Sequence, residues 1–180
     1  MDINSLVNVS ARAWSVPLLA ALGEGVQGRQ VILIKHLGAS RSAFGLSLAH
    51  LQSLGLVRRR SGHGHPLRPE FELTKQGEIA AKAAHSVMQI VHRNPDAITL
   101  VRRSWTLPIL SQTTQPTYFA ILRNGLAPIT DRALSQGLKS LEDMRWIRRD
   151  VAAGYRPPRP LYSAVGAGAE IAAALDAQIV

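Results

Sequence analysis

The stretch ITDRALSQGLKSLEDMRWI, residues 129–147, decides the fold that we predict for this chain. Leu134, Leu138 and Leu141 follow one another at helical spacing, so they form the buried face of an amphipathic helix. Thr130 is a favourable N-cap residue, and the helix is therefore predicted over residues 132–145. The outward face of this helix then carries Arg132, Ser135, Gln136 and Lys139.

The same pattern occurs earlier in the chain. LAHLQSLGLVRR, residues 48–59, aligns with LKSLEDMRWIRR, residues 138–149, at an offset of 90. WSVPLL at 14–19 and RPEF at 68–71 align with WTLPIL at 105–110 and RPLY at 159–162, both at an offset of 91. Three blocks in one order indicate an internal duplication. We predict two domains, a first half (residues 1–93) and a second half (residues 94–180), with Trp14 and Trp105 as core anchors.

Each half is predicted to have helices followed by a β-hairpin and a last helix. In the first half the helices cover 12–22, 29–37 and 40–54, the strands 57–60 and 70–73, and the last helix 74–92. In the second half they cover 97–111, 117–124 and 132–145, then strands 146–150 and 161–164 and a helix from about 168. The predicted fold class is mainly α with small β-hairpin wings (α+β), as two tandem winged helix-turn-helix domains.

The composition favours a partner with negative charge. The net charge is +9, the pI is about 11.0, and only four of the 21 basic residues are lysine. Arginine suits phosphates and guanine edges better than lysine does. The absence of cysteine excludes disulfides and thiolate metal sites. Neither a signal peptide nor a membrane-spanning stretch is predicted, and a cytoplasmic location is expected.

Both predicted hairpins are rich in arginine. Arg58, Arg59, Arg60 and Arg68 flank the first loop, and Arg145, Arg148, Arg149, Arg156 and Arg159 flank the second. Runs of charge are usually only solvated surface, but here both halves place one on the same element. A stiff loop of Arg, Pro and Gly holds cations beside phosphates or in a minor groove.

The third helix and the hairpin of each half supply the predicted DNA-binding residues. These are Arg41, Ser42, Gly45, His50, Arg59, Arg60, His63, His65 and Arg68 in the first half, and Arg132, Ser135, Gln136, Lys139, Arg149, Arg156 and Arg159 in the second. His63-Gly-His65 lacks a third ligand nearby, so no metal site is predicted. No cofactor is predicted, and without GxxxxGK[ST], HExxH or GxSxG motifs the chain is not expected to be an enzyme.

Residues 129–147 resemble the recognition helix and first wing strand of the HxlR family of bacterial transcriptional regulators, which are MarR-like. In the first half, LGLVRR at 54–59 and FELTKQG at 71–77 resemble the turn and the strand-to-helix step around the wing of that family. The resemblance implies that the third helix enters the major groove of double-stranded DNA. The chain departs from the family in having two domains and no cysteine. Gly45 and Leu46 stand where polar side chains are expected, so the second half is the better supported reader.

These observations predict a sequence-specific DNA-binding transcriptional regulator. The two domains would act as a pseudo-dimer, so that a monomer rather than a homodimer engages two half-sites. One alternative is a tandem winged-helix module for protein–protein interaction, like the kleisin-binding subunits of bacterial condensins. Another is a DNA binder that is gated by a small aromatic effector at the seam between the domains. The charge of the hairpins favours DNA.

Overall fold

The computed structural model describes residues 2–60, 69–152 and 158–177. Five helices and one hairpin form the described part of the first half. In chain order these elements are α1 (Ile3–Ser10), α2 (Ser15–Gly23), α3 (Gln30–Leu37), α4 (Arg41–Ser53), β1 (Val57–Arg60), β2 (Glu70–Leu73) and α5 (Lys75–His92).

The described part of the second half repeats this order. A 3₁₀ turn at Pro95–Ala97 precedes the regular elements. They are α6 (Ile98–Val101), α7 (Thr106–Ser111), β3 (Thr117–Tyr118), α8 (Phe119–Gly125), α9 (Asp131–Asp143), β4 (Ile147–Ala152), β5 (Arg159–Ala164) and α10 (Gly166–Asp176).

The prediction of one helix over residues 97–111 is wrong. The helix is broken into α6 and α7, and α7 begins only after Trp105. Pro108 explains the break, because a proline is tolerated in the first turn of a helix but not in its interior. The first half breaks in the same way: Pro17 is the third residue of α2, and α1, which the sequence did not predict, precedes it. Trp14 and Trp105 are the N-cap residues, with φ of −104° and −102°.

The two third helices begin and end close to where they were predicted. Ser40 and Thr130 accept hydrogen bonds from the backbone N–H of Ala43 and Ala133, which caps α4 and α9. Each helix buries the face that its apolar spacing predicted. In α4 the buried face includes Phe44, Leu48 and Leu51, and in α9 it is formed by Leu134, Leu138 and Leu141.

Antiparallel pairing forms the hairpins. β1 pairs with β2 from Val57 opposite Leu73 to Arg60 opposite Glu70. The second sheet has the order β3-β5-β4, with Ile147 opposite Ala164. The prediction that residues 117–124 are all helical is wrong at residues 117 and 118, which pair with β5 because the chain runs alongside it before α8 begins. In the first half a single bridge between Arg29 and Glu70 occupies the equivalent place.

One glycine in each half fixes the start of the last helix. A Cβ atom on Gly77 would lie 1.9 Å from the carbonyl oxygen of Leu56, and one on Gly168 would lie 2.2 Å from that of Trp146. Both glycines therefore let a helix start directly against the backbone that follows the third helix.

One apolar core runs through both halves. It includes Leu18 and Val87 of the first half and Ile109 and Ile171 of the second. α5 packs along α2, α10 packs against both α7 and α5, and α1 packs against α7. The halves are thus joined by a continuous buried surface. Among the described residues, no single helix is long and apolar enough to span a bilayer; α1 and α2 would reach that length only together, across a bend of 101°.

Candidate nucleic-acid interface

The outward face of α9 carries four exposed polar side chains. Leu134, Leu138 and Leu141 turn inward, and the residues left on the surface are those predicted from the sequence: Arg132, Ser135, Gln136 and Lys139. None of the four side chains makes a hydrogen bond or an ion pair with another described residue. Their donors and acceptors are free for a ligand.

The scaffold around α9 is closely packed and uses two other arginines. Gly137 faces α7 so closely that a Cβ atom there would lie 2.5 Å from Cδ1 of Ile109. Arg103 donates a hydrogen bond of 2.7 Å from Nη1 to Oγ of Ser140. The Nε atom of Arg123 lies 2.8 Å from a carboxylate oxygen of Asp131, the first residue of α9. These contacts hold the helix while its outward face stays unoccupied.

The second hairpin contributes exposed arginines beside α9. Arg149 is exposed on β4, opposite Tyr162 of β5. Arg148 forms an ion pair of 2.8 Å with Asp150 of the same strand, which reduces its availability for phosphate. Arg159 is exposed at the start of β5, and Arg156 lies outside the described residues.

The outward face of α4 has a different character. Of the residues predicted there, Arg41 and Ser42 are exposed, and Gly45 is half-buried. Leu46 is 61% exposed in the middle of that face, and Ala49 is exposed beside it. The face therefore presents few hydrogen-bonding groups.

His50 has a partner that the sequence did not reveal. It is half-buried, and its Nε2 donates a hydrogen bond of 2.7 Å to the carbonyl oxygen of Asn8, at the end of α1. The ring is thus occupied by a contact within the protein, unlike the free group that the DNA-binding prediction assumed. Asn8 lies 42 residues away in the chain, so no local pattern could have indicated this contact.

Glutamates on β2 engage the arginines of the first hairpin. Glu72 forms ion pairs with both Arg58 and Arg60, the latter at 3.0 Å. Glu70 pairs with Arg29, also at 3.0 Å. Arg60, predicted to contact DNA, is held by Glu72. Arg59 points away from these pairs, is exposed, and has no side-chain partner among the described residues.

The same contacts shift the pKa of Glu72. Partial burial raises this pKa. The hydrogen bonds from Arg58 and Arg60 and their positive charges together lower it by more, so the pKa lies below the usual value of 4.5. The carboxylate is therefore charged at neutral pH and offsets part of the positive charge of the hairpin. His63, His65 and Arg68, the other predicted contacts of this hairpin, lie outside the described residues.

A cavity of about 370 Å³ lies at the seam between the halves. Trp14, Pro17 and His36 line it from the first half's early helices, Met88 and His92 from α5, and Arg102 from the second half. The Arg102 guanidinium stacks on the Trp14 ring. The cavity is mainly apolar, with the cation of Arg102 and the carboxylate of Glu24 at its wall.

Residues 100–179 match the model of the HxlR-like helix-turn-helix family. The matched region runs from α6 to α10 and contains α9 and the second hairpin. No curated protein matches the chain.

Among solved structures, a protein from Porphyromonas gingivalis W83 that is described as a MarR-family transcriptional regulator is 23% identical. The aligned region covers 46% of this chain and 81% of that one, with a TM-score of 0.42. Similarity at this level carries no argument about function.

Proposed function

We propose that this protein is a sequence-specific DNA-binding transcriptional regulator of a bacterium, acting in the cytoplasm. The observation that carries the proposal is the exposed face of α9, where Arg132, Gln136 and Lys139 have no partner among the described residues. This face lies in the half that matches the HxlR-like helix-turn-helix model.

The chemistry of these side chains suits base edges. The major groove of B-DNA is wide enough to admit a helix. Arginine bridges O6 and N7 of guanine, and glutamine bridges N6 and N7 of adenine. Each such contact contributes about 1–3 kcal/mol of discrimination against the wrong base. Arg132 and Gln136 are therefore the proposed readers, with Ser135 and Lys139 beside them on bases or phosphates.

The second hairpin supplies the proposed backbone contacts. Arg149 and Arg159 are exposed on its strands, and Arg156, which lies between the two strands in the sequence, is outside the described residues. Contacts of this kind position a protein on the duplex and make binding dependent on salt. The net charge of +9 adds long-range attraction to DNA.

We further propose that the two halves, residues 1–93 and 94–180, are tandem winged helix-turn-helix domains that form a pseudo-dimer in a monomer. The shared element order, the two tryptophan N-caps and the paired glycines Gly77 and Gly168 support this. The contact between α5 and α10 would take the place of a dimer interface. Size-exclusion chromatography with light scattering tests the proposal, and a stable dimer would contradict it.

The seam cavity supports a proposed effector site. Its volume of about 370 Å³ lies in the range of small-ligand pockets. An aromatic acid would place its ring among Trp14, Pro17 and Met88 and its carboxylate near Arg102. A thermal-shift screen with phenolic acids tests this: a ligand should raise Tm in the wild type and not in Arg102→Ala. If no phenolic acid changes Tm, the effector proposal is wrong.

Binding of a partner protein, the alternative from the fold, gains no support from α9. A helix that grips an apolar partner helix has no need of three partnerless polar side chains on its exposed face. Such a partner would bury apolar groups instead.

Selection from a random duplex library, followed by fluorescence anisotropy during a salt titration, tests the main proposal. We expect an enriched sequence and a steep loss of affinity with salt. The triple variant Arg132→Ala/Gln136→Ala/Lys139→Ala should lose the sequence preference. Lys82→Ala, which removes an exposed cation from α5, is the control and should keep it. Weak binding with a shallow salt slope and no preferred sequence would overturn the proposal.

A further inference from the structure

We infer that base reading is confined to the second half: α9 reads bases, and α4 reads none. The inference rests on the proposed function, because it assigns that function to one half. It departs from the sequence-based expectation that a monomer engages two half-sites. The protein would instead specify one continuous block of base pairs.

The comparison of α4 with α9 is exact in register, because their buried residues coincide at an offset of 90. Phe44 and Leu134, Leu48 and Leu138, and Leu51 and Leu141 form the pairs of buried positions. The outward positions can therefore be compared one by one. They are Ser42 and Arg132, Gly45 and Ser135, Leu46 and Gln136, and Ala49 and Lys139.

Each outward position loses its base-reading chemistry in α4. Leu46, where α9 has Gln136, offers no donor or acceptor and is 61% exposed. Ala49, where α9 has Lys139, offers neither charge nor reach. Ser42 has a short hydroxyl that lies 3.4 Å from Oγ of the N-cap Ser40. Bidentate contacts to guanine or adenine need long side chains, which α9 carries at these positions and α4 does not.

The remaining polar residues of α4 are poorly placed to read bases. His50 donates its Nε2–H to the carbonyl oxygen of Asn8. Arg41 is the first residue of α4, and its counterpart in α9 is Asp131, which pairs with Arg123 in the scaffold. Arg41 lies to one side of the outward face of α4, and Leu46 occupies the middle of that face. We assign Arg41 to a phosphate contact, which positions the protein on DNA without reading sequence.

The first hairpin shows the same loss. Arg58 and Arg60 are both paired with Glu72. In the second hairpin Arg148 pairs with Asp150 of its own strand, and β5 carries no acidic residue. Arg59 alone among the described arginines of the first hairpin has no ion pair. Among its described residues, the first hairpin therefore offers phosphates one arginine without an ion pair, Arg59.

The first half still has a role in supporting α9. α1 packs against α7, and α7 is the helix that Gly137 of α9 approaches through Ile109. A dimer partner would supply such support in a single-domain protein. Here the first half supplies that support from within the same chain. Its own third helix, α4, can therefore lose polar residues without weakening the support of α9.

A matched pair of variants tests the inference. Leu46→Glu and Gln136→Glu add one negative charge at equivalent positions, and both positions are exposed. We expect Gln136→Glu to weaken binding to the selected site by about tenfold or more, since one base contact is lost and a charge faces the bases. Leu46→Glu should weaken it by less than about threefold and leave the motif unchanged, because screening by salt limits distant charges. Circular dichroism checks that both variants fold.

Library selection on the wild type gives the second readout. We expect one continuous block of specified base pairs. A motif with two blocks about one helical turn (~10 base pairs) apart would overturn the inference and leave the proposed function intact. A loss of tenfold or more in Leu46→Glu would also overturn it. If no sequence is enriched, the proposed function fails, and this inference fails with it.

Discussion

The Cζ atom of Arg102 lies 3.7 Å from the centroid of the Trp14 ring, so that a cation of the second half covers an aromatic ring of the first. Trp14 is buried at the start of α2, and Arg102 follows α6. The duplication does not repeat this contact. Trp105 is the counterpart of Trp14, but Ala11 stands at the position that corresponds to Arg102. The contact is a specific link across a seam that also carries the ion pair between Arg93 and Glu170 of α10.

Removing this link should loosen the two halves. Arg102→Ala is expected to lower the free energy of unfolding by about 1–2 kcal/mol, the value of a desolvated cation–π contact. Trp14→Ala should lower it by about 3–5 kcal/mol, because it also leaves a cavity. Urea denaturation followed by circular dichroism measures both. Arg12→Ala, which changes an exposed arginine, should stay within about 0.5 kcal/mol; an equal effect in Arg102→Ala would refute the assignment.

The close approach at Gly77 and Gly168 predicts that alanine is not tolerated there. A Cβ atom would meet a backbone carbonyl at 1.9 Å or 2.2 Å, and backbone cannot move aside as a side chain can. Each substitution should lower the free energy of unfolding by about 1–3 kcal/mol or more. Gly45→Ala is the matched control: nothing lies within 4 Å of its Cβ position in α4, so it should stabilise the protein by about 0.5–1 kcal/mol. Thermal unfolding of the three variants distinguishes these outcomes.

The elements that the sequence predicted best are those with local signals. α4, α9 and β2 follow from N-caps, apolar spacing and turn residues within a few positions of each element. The contacts it missed join distant parts of the chain. His50 to Asn8 is one example. The break before α7 has a local signal in Pro108, which favours the first turn of a helix, but Trp105 provides no capping side chain that would mark the helix start.

The balance of charge in the first hairpin was also beyond the sequence. No acidic residue occurs between Arg58 and Arg68, so the sequence predicts a hairpin whose positive charge is unopposed. Glu72 meets Arg58 and Arg60 only through the register of β1 and β2. The nine residues between the two strands contain no two-residue turn motif that would fix that register from the sequence. The reading face of α9 was predictable because its periodicity is local. The loss of the equivalent face in α4 was visible only in part, at Gly45 and Leu46.

The lowered pKa of Glu72 predicts a pH dependence of stability. A carboxyl group whose pKa is lower in the folded state contributes stability above its unfolded value of 4.5, and this contribution is lost as the pH falls through the folded value. The wild type should therefore have a higher Tm than Glu72→Gln near neutral pH. The difference should shrink as the pH falls below 4.5 and through the lower pKa of the folded state. A difference in Tm that does not change with pH would contradict the ion pairs as its source.

The second hairpin predicts a uniform effect on DNA binding. Arg149→Ala should weaken binding to the selected site and to unrelated DNA by the same factor, because a phosphate contact carries no sequence information. The slope of log K against log salt should become shallower by about 1. Fluorescence anisotropy at several salt concentrations measures both. Arg58→Ala, which removes an arginine already paired with Glu72, is the matched control and should change the slope less; a loss confined to the selected site would instead make Arg149 a base reader.

Gly137 predicts that the position of α9 can be changed without unfolding the protein. In Gly137→Ala the new Cβ atom would meet Cδ1 of Ile109 at 2.5 Å, and the end of a side chain can yield where a backbone carbonyl cannot. We expect a moderate loss of stability, about 1–3 kcal/mol, together with a larger loss of sequence-specific than of non-specific DNA binding, because α9 moves away from α7. Ile109→Val removes the clashing atom and alone should cost about 0.5–1.5 kcal/mol. The double variant should therefore be more stable than the sum of the two single effects and should recover sequence-specific binding. A strictly additive result in both assays would show that α9 does not rest on Ile109.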